Sequence, residues 1–252
     1  MRFDIPKKIF ALIFLALTCQ AALADELLVS AASSLSNAFK EIGQAYEGKY
    51  PKSKVAFNFA ASGALVQQIA KGAPVDVFAS ADQETMDLAE KQGLVAAKTR
   101  HDFARNRLVL IVPVKSKLTI KNLSDLAQQG VTRVAIGNPA SVPVGRYSKH
   151  ALDAAKMWAG IESKMIRTQN VRQALDYVAR NEVDAGFVYA SDAALMPGKV
   201  QIAFVVPLVM AIKYPLAQTS NSSNPVAATR FNDFVRSNTG QAILAKFGFQ
   251  QP

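Results

Sequence analysis

The spacing of hydrophobic residues changes repeatedly along this chain from that of a strand to that of a helix. An apolar run at residues 27–29 breaks at Ser30 into small residues that include Ser33 and Ser34, and apolar residues then recur with helical spacing from Leu35 as far as Tyr46. This change predicts a strand, a tight turn and an amphipathic helix. The same unit follows the apolar runs at residues 55–59, 75–79 and 134–136. Its repetition favours an α/β fold with mostly parallel sheets.

The repeated unit is interrupted at two places. The strand predicted at residues 107–113 has no helix directly after it, which is where we expect the chain to cross into a second lobe. Residues 213–218 resemble a second crossing, by which the chain returns to the first lobe. We therefore expect two lobes. Residues 25–106 plus 213–252 are predicted to form lobe 1, and residues 107–212 are predicted to form lobe 2.

Polar hydrogen-bond donors stand where the predicted strands end and the predicted helices begin. The first amides of a helix have no partner inside the helix, and the helix dipole places partial positive charge there. Such junctions are therefore suited to binding anions. The donors lie at four junctions and one strand end: Ser33 and Ser34, Ser62 and Gly63, Val144 and Gly145, Asn170 and Val171, and Tyr189. In a two-lobed fold they predict a small anion held between the lobes by neutral donors, without lysine or arginine.

The sequence offers few candidate catalytic residues. His101 and His150 are read as surface or packing residues, and Asp76 and Asp82 as a strand-end residue and a residue of a first helical turn. No motif of a serine hydrolase, a β-lactamase or a zinc protease is present. The single cysteine, Cys19, lies in the N-terminal segment. We expect no catalytic site and no thiolate metal site.

The N-terminal segment has the three-part form of a secretory signal peptide. Basic residues come first, residues 9–17 are apolar, and an A-x-A sequence ends at Ala24. Cleavage is predicted after Ala24, so residues 1–24 would be removed and the mature protein would reside in the periplasm. No later stretch reaches the roughly 20 apolar residues that a membrane-spanning helix needs.

The chain is basic, with a formal net charge of +10 over 252 residues. Its lysines and arginines are spread along the sequence without a run of five or more and without interleaved aromatic residues. This distribution indicates a generally basic surface, and no nucleic acid partner is expected.

Several motifs in combination resemble the periplasmic molybdate-binding proteins of ABC importers. The motifs are SAASSLSNAF, FAASGALVQQI, GAPVDVFASADQ, GNPASVPVGRYSKHAL, NVRQALDYVARNEVDAGFVYASDA and ILAKFGF, and the resemblance covers residues 26–249. It implies a type II periplasmic-binding fold, in which two α/β lobes are joined by a two-strand hinge. It also implies molybdate or tungstate as the ligand, no cofactor, molybdenum bound only as the oxyanion, a permease partner in the inner membrane, and a monomer.

The resemblance implies five ligand-binding residues, which coincide with the junctions already described: Ser34, Ser62, Val144, Val171 and Tyr189. In that family two serine hydroxyls, two helix-start amides and a tyrosine hydroxyl hold the oxyanion. Ser33 is a possible extra donor, so either Ser33 or Ser34 is the direct one. The apolar loop 207–213 departs from the acidic and polar residues of the family, which we expect to affect a partner contact or the hinge.

Three alternatives remain open at this point. The first is a binder of another tetrahedral oxyanion such as sulfate; phosphate is disfavoured because a protonated ligand needs an acceptor and none of the implied contacts is acidic. The second is a periplasmic hydrolase. The third is an anion sensor, whose ligand site would look the same.

Overall fold

The computed structural model describes residues 25–252. The predicted signal peptide, residues 1–24, lies outside the described residues, so its prediction stays untested. Within the described part, the strands are β1 (Asp25–Ala32), β2 (Ser53–Ala60), β3 (Val77–Ala79), β4 (His101–Asn106), β5 (Leu108–Pro113), β6 (Val134–Gly137), β7 (Met165–Thr168), β8 (Ala185–Tyr189), β9 (Val200–Val205) and β10 (Ile212–Gln218).

The helices alternate with the strands over much of the described chain. They are α1 (Ser36–Lys49), α2 (Ser62–Ala70), α3 (Gln83–Lys91), α4 (Pro143–Ala154), α5 (Trp158–Ile161), α6 (Val171–Ala179), α7 (Ala190–Ala193), α8 (Pro225–Arg236) and α9 (Asn238–Lys246). None of these helices is long and apolar enough to cross a membrane.

The strands form two five-stranded sheets of the same design. The first has the order β2-β1-β3-β10-β4 and the second the order β7-β6-β8-β5-β9. In each sheet four strands run in one direction, while β10 in the first sheet and β5 in the second run antiparallel to both of their neighbours. The α/β, two-lobed fold is confirmed, and the sheets are mostly parallel, with one antiparallel strand in each.

The antiparallel strands follow from the path of the chain between the sheets. β5 is the first strand after the chain leaves the first sheet at Arg107, and β10 is the first strand after it returns through residues 206–211. Each incoming strand pairs with the strand that leaves its sheet, β5 with β9 and β10 with β4. The two crossings form the hinge. The exact residue boundaries of the lobes stay a prediction.

The second crossing contains the apolar loop singled out in the sequence. Val209 is fully exposed and the Met210 side chain is more than half exposed. Neither residue lines the cavity between the lobes that is described below.

The core of the first lobe joins both ends of the described chain. Phe39 of α1 lies between Phe103 of β4 and Phe231 of α8, with ring centroids 5.7 and 6.2 Å apart. All three side chains are fully buried. Because helices from the two ends share one core, the N-terminal and C-terminal segments fold as one lobe.

Candidate functional site

The five implied ligand-binding residues and Ser33 line one cavity between the two sheets, whereas Gly63, Gly145 and Asn170 do not line it. It is small, since the space open to the centre of a water-sized sphere is ≈ 10 Å³. The lining residues are Ser33, Ser34, Ser62, Val144, Val171 and Tyr189, together with Ala32, Ala60, Ala61, Ala81, Val142 and Pro143. None of these described lining residues carries a charge, so the walls offer only neutral polar groups and small apolar surfaces.

A larger groove of ≈ 640 Å³ lies elsewhere, along α8 and the end of α1. It is open, and its polar residues include Lys49, Arg230 and Asp233. These residues all belong to the segments that build the first lobe. The smaller cavity is the better candidate site because donors from both lobes converge there.

Ser33 and Ser34 lie in a single turn of 3-10 helix, residues 33–35, between β1 and α1. Both serines are buried, and Ser34 is 2% exposed. The Ser34 hydroxyl oxygen lies 3.1 Å from the Tyr214 hydroxyl oxygen. The Ser33 hydroxyl has no hydrogen-bond partner among the described residues. Ser34 is therefore held by a neighbouring hydroxyl and Ser33 is not, although both line the cavity.

Ser62 is the first residue of α2 and is fully buried. Its hydroxyl oxygen accepts a hydrogen bond from the backbone N–H of Ala81 at 3.1 Å. Since a serine hydroxyl is one donor with two acceptor sites, this bond leaves its proton free. Ser62 is thus positioned to donate to a ligand.

Helix starts supply the backbone donors of the second lobe. Val171 is the first residue of α6, which is capped by the Asn170 side chain accepting from the backbone N–H of Gln173 at 3.0 Å. Val144 is the second residue of α4, after Pro143, which is tolerated at a first helical position. Neither amide has an acceptor within its own helix. Both are therefore available to an anion in the cavity.

Among the described cavity-lining residues, Tyr189 carries the one side-chain polar atom that is fully buried and has no hydrogen-bond partner. Tyr189 ends β8 and is 1% exposed, and its buried hydroxyl has no hydrogen-bond partner in the described chain. Burial raises the pKa of Tyr189 well above its ordinary value. The phenol therefore stays neutral and protonated. A buried hydroxyl without a partner carries a desolvation cost of about 1–3 kcal/mol, which a ligand oxygen would relieve.

Charged side chains bridge the lobes beside the cavity. Arg146 of α4 pairs with Asp82 at 2.6 Å, and the Arg172 guanidinium donates to the Ser34 carbonyl oxygen at 3.0 Å. A backbone bond also crosses, from the N–H of Gly63 to the Ser141 carbonyl oxygen at 3.0 Å. These contacts hold the two lobes together in a closed arrangement.

Arg172 is anchored on its own lobe by Asp192, at 2.7 Å. Asp192 is fully buried, and it also accepts from the Tyr189 backbone N–H at 3.3 Å. Burial raises the pKa of Asp192 to about 6, and the Arg172 guanidinium opposes that rise. The ion pair therefore fixes both the bridging arginine and the strand end that carries Tyr189.

Sequence reasoning did not assign a role to the residues that support and bridge the site. Arg146 and Arg172 each lie one or two positions after a predicted amide donor. Their position in the first turn of a helix, facing the opposite lobe, was a signal that could have identified them. Asp82 was read as a residue of a first helical turn, whereas it is the N-cap of α3 and accepts from the N–H of Thr85. Tyr214 carried no such signal.

Two lobes closed over a cavity of neutral donors define the class of the molecule, a binding protein that encloses a small ligand. The chain belongs to the family of bacterial extracellular solute-binding proteins, whose family model matches residues 27–250. Within the described residues, no group of three or more His, Cys, Asp or Glu side chains could hold a metal ion.

Named relatives agree with this membership. The chain is 36% identical over 237 residues to the molybdate-binding protein ModA of Escherichia coli, covering 90% of this chain and 91% of that protein. Among solved structures, the periplasmic molybdate-binding protein of Azotobacter vinelandii superposes with a TM-score of 0.78 at 24% identity, covering 90% and 99%. The sulfate-binding protein SubI of Mycobacterium tuberculosis has a TM-score of 0.77 at 20% identity, covering 90% and 87%. These two structures show the fold alone.

Proposed function

We propose that this protein captures molybdate, and tungstate as well, between its lobes and delivers it to the permease of an ABC importer. The observation that carries the proposal is the convergence of hydroxyls and helix-start amides from both lobes on one buried cavity. The proposed direct contacts are the hydroxyls of Ser34, Ser62 and Tyr189 and the amides of Val144 and Val171, with Ser33 as an additional donor. Relatives named as molybdate-binding proteins support the choice of ligand.

The chemistry of the cavity supports a fully ionised oxyanion. Every polar group proposed to contact the ligand is a neutral donor, and hydrogen bonds to a charged partner contribute roughly 1.5–3 kcal/mol each. A ligand that carries its own proton would need an acceptor, and no described residue lining the cavity is acidic. Binding therefore favours dianions over protonated phosphate, and lobe opening provides the route for release.

The decisive measurement is isothermal titration of the mature protein with molybdate, tungstate, sulfate and phosphate in parallel. We expect tight one-to-one binding of molybdate and tungstate, with sulfate and phosphate giving no heat of binding. Stronger binding of sulfate or phosphate would leave the site in place and replace the ligand. Absence of binding by all four anions would overturn the proposed function.

The compartment and the downstream partner are part of the same proposal. We infer export to the periplasm with removal of residues 1–24, a monomeric binding protein, and no catalytic activity. N-terminal sequencing of the exported protein should begin at Asp25. A molybdate uptake assay in cells lacking the protein should show loss of high-affinity uptake, whereas an anion sensor would leave uptake intact and change gene expression.

A further inference from the structure

We propose that Tyr214 is a positioning residue that holds the Ser34 hydroxyl as a donor to the bound anion and links that donor to the hinge. The inference rests on the proposed function, because it concerns the same anion site. Tyr214 does not line the cavity. Its role would be to act through Ser34.

The geometry places Tyr214 directly behind Ser34. The two hydroxyl oxygens lie 3.1 Å apart, and both side chains are buried, Tyr214 completely. At this distance one of the two hydroxyls donates a hydrogen bond to the other, and either can be the donor. The direction of that bond decides whether the proton of Ser34 points towards Tyr214 or remains available to a ligand.

Asn106 sets the direction of this bond. Its side-chain oxygen accepts from the backbone N–H of Arg107 at 2.9 Å. This bond fixes the orientation of the side-chain amide, so the amide nitrogen is the atom that faces Ser191 and Tyr214. That nitrogen donates to the Ser191 hydroxyl at 2.8 Å and to the Tyr214 hydroxyl at 3.4 Å. The Tyr214 hydroxyl thus contacts the Asn106 amide nitrogen, which can only donate, and the Ser34 hydroxyl, which can accept, so among the described residues Ser34 is the acceptor for the Tyr214 proton. Donation to Ser34 leaves the Ser34 proton free for the anion.

Burial keeps this chain of hydrogen bonds in one protonation state. The pKa of Tyr214 is raised well above its ordinary value, first by burial and then by the nearby Asp192 carboxylate. The phenol therefore remains a neutral donor at physiological pH. In a low-dielectric interior, successive hydrogen bonds polarise one another, so the Ser34 hydroxyl becomes a better donor than an isolated serine.

The members of this chain also span the hinge. Asn106 is the last residue of β4, directly before the first crossing, and Tyr214 lies in β10, directly after the second crossing. Ser191, on α7, belongs to the segment between the two crossings. The orientation of a ligand donor therefore depends on groups that lie where the lobes are joined.

A double-mutant cycle on molybdate affinity tests this inference. The variants are Tyr214→Phe, Ser34→Ala and the two combined, with isothermal titration as the readout. We expect Tyr214→Phe to weaken binding roughly 3- to 10-fold, the size of one neutral hydrogen bond, and Ser34→Ala to weaken it more. Without Ser34 there is no hydroxyl to orient, so the double variant should bind as Ser34→Ala alone does.

Tyr46→Phe is the matched control. Tyr46 is also fully buried, and its hydroxyl accepts a hydrogen bond from Arg230, which lines the groove along α8, while neither residue lines the cavity. This variant loses a buried hydroxyl as Tyr214→Phe does, so its molybdate affinity should equal that of the unmodified protein. Thermal unfolding of all variants shows whether the fold is retained.

The possible outcomes separate this inference from the proposed function. If the unmodified protein binds molybdate and Tyr214→Phe binds it equally well, the inference is overturned and the function stands. The inference is also overturned if Tyr214→Phe weakens molybdate binding by the same factor in the unmodified protein and in Ser34→Ala. Tyr214 would then affect the site without acting through Ser34. If the unmodified protein binds sulfate instead, the same cycle is measured with sulfate. If it binds no anion, both proposals fall.

Discussion

The two walls of the cavity offer the same kind of hydrogen bond from different parts of the chain. The first lobe contributes side-chain hydroxyls, and those of Ser34 and Ser62 are each held by a neighbour. The second lobe contributes backbone amides at Val144 and Val171, along with the hydroxyl of Tyr189. A hydroxyl donor depends on the residue type, whereas an amide donor depends on where a helix begins. The first wall is therefore sensitive to ordinary substitutions, and the second is sensitive to changes in the backbone.

The largest expected effect comes from removing an amide of the second wall. Val171→Pro deletes one N–H at the first position of α6, where proline is tolerated, and the extended backbone of Asn170 suits a residue before proline. Loss of one hydrogen bond to a charged ligand should weaken molybdate binding roughly 10- to 100-fold in a titration.

Val171→Ala is the control for that change. It shortens the same side chain but retains the N–H, so its affinity should stay close to that of the unmodified protein. If Val171→Pro and Val171→Ala bound molybdate equally, the amide would have no part in holding the ligand.

Serine substitutions test the first wall and decide between its two adjacent hydroxyls. Ser62→Ala and Ser34→Ala should each weaken molybdate binding by about tenfold or more, while Ser33→Ala should have a smaller effect because Ser33 lacks the support of Tyr214. Titration of the three variants gives the comparison directly. Ser36→Ala, one turn further on and partly exposed, is the control. A larger effect at Ser33 than at Ser34 would reverse the assignment.

The closed arrangement of the two walls can be disturbed without touching a donor. A Cβ atom at Gly63 would lie 2.6 Å from the Ser141 carbonyl oxygen, a contact made only when the lobes are together. Gly63→Ala should therefore weaken molybdate binding by about tenfold while leaving the unfolding temperature of the ligand-free protein nearly unchanged. Gly48→Ala is a matched control on α1, because nothing lies within 4 Å of its added Cβ. If Gly63→Ala and Gly48→Ala bound molybdate with equal affinity, closure of the lobes around the ligand would be contradicted.

The smallest effect is expected at the ion pair that bridges the walls. Asp82→Asn removes the charge opposite Arg146 but keeps a good helix N-cap, so α3 should be retained. We expect molybdate binding to weaken by about threefold, because Arg146 keeps the Thr85 hydroxyl and the Pro139 carbonyl oxygen as acceptors and the asparagine side chain can still accept from it. The exposed pair between Asp233 and Arg236 offers Asp233→Asn as a control. A variant with unchanged affinity at both low and high salt would show that the pair does not favour closure.

The positions of the donors could be read from the sequence because they follow local rules. A strand that ends in small polar residues before an apolar helical pattern marks a helix start, and helix starts have free amides wherever they occur. Asn170 was placed at a predicted helix start, and its side chain accepts from the backbone N–H of Gln173 there in the structure. These features depend on neighbours in the sequence, so no knowledge of the tertiary fold was needed.

Strand β4 could not be predicted from its local sequence. Its sequence, HDFARN, is polar and was not recognised as a strand. It is a strand because β10 returns from the other lobe and pairs with it, from Ile212 opposite Asn106 to Leu216 opposite His101. The antiparallel pairings of both sheets arise in the same way, from segments about a hundred residues apart.

The sequence by itself determined the two-lobed α/β class and the list of neutral donors, because strand and helix periods and helix starts are local properties. Only the tertiary structure decided that these donors meet in one closed cavity, that Arg146 and Arg172 bridge the lobes instead of contacting it, and that Tyr214 supports Ser34 from 180 positions away. Those relations depend on how the hinge brings the lobes together. Contacts between distant segments leave no periodic pattern in either segment alone.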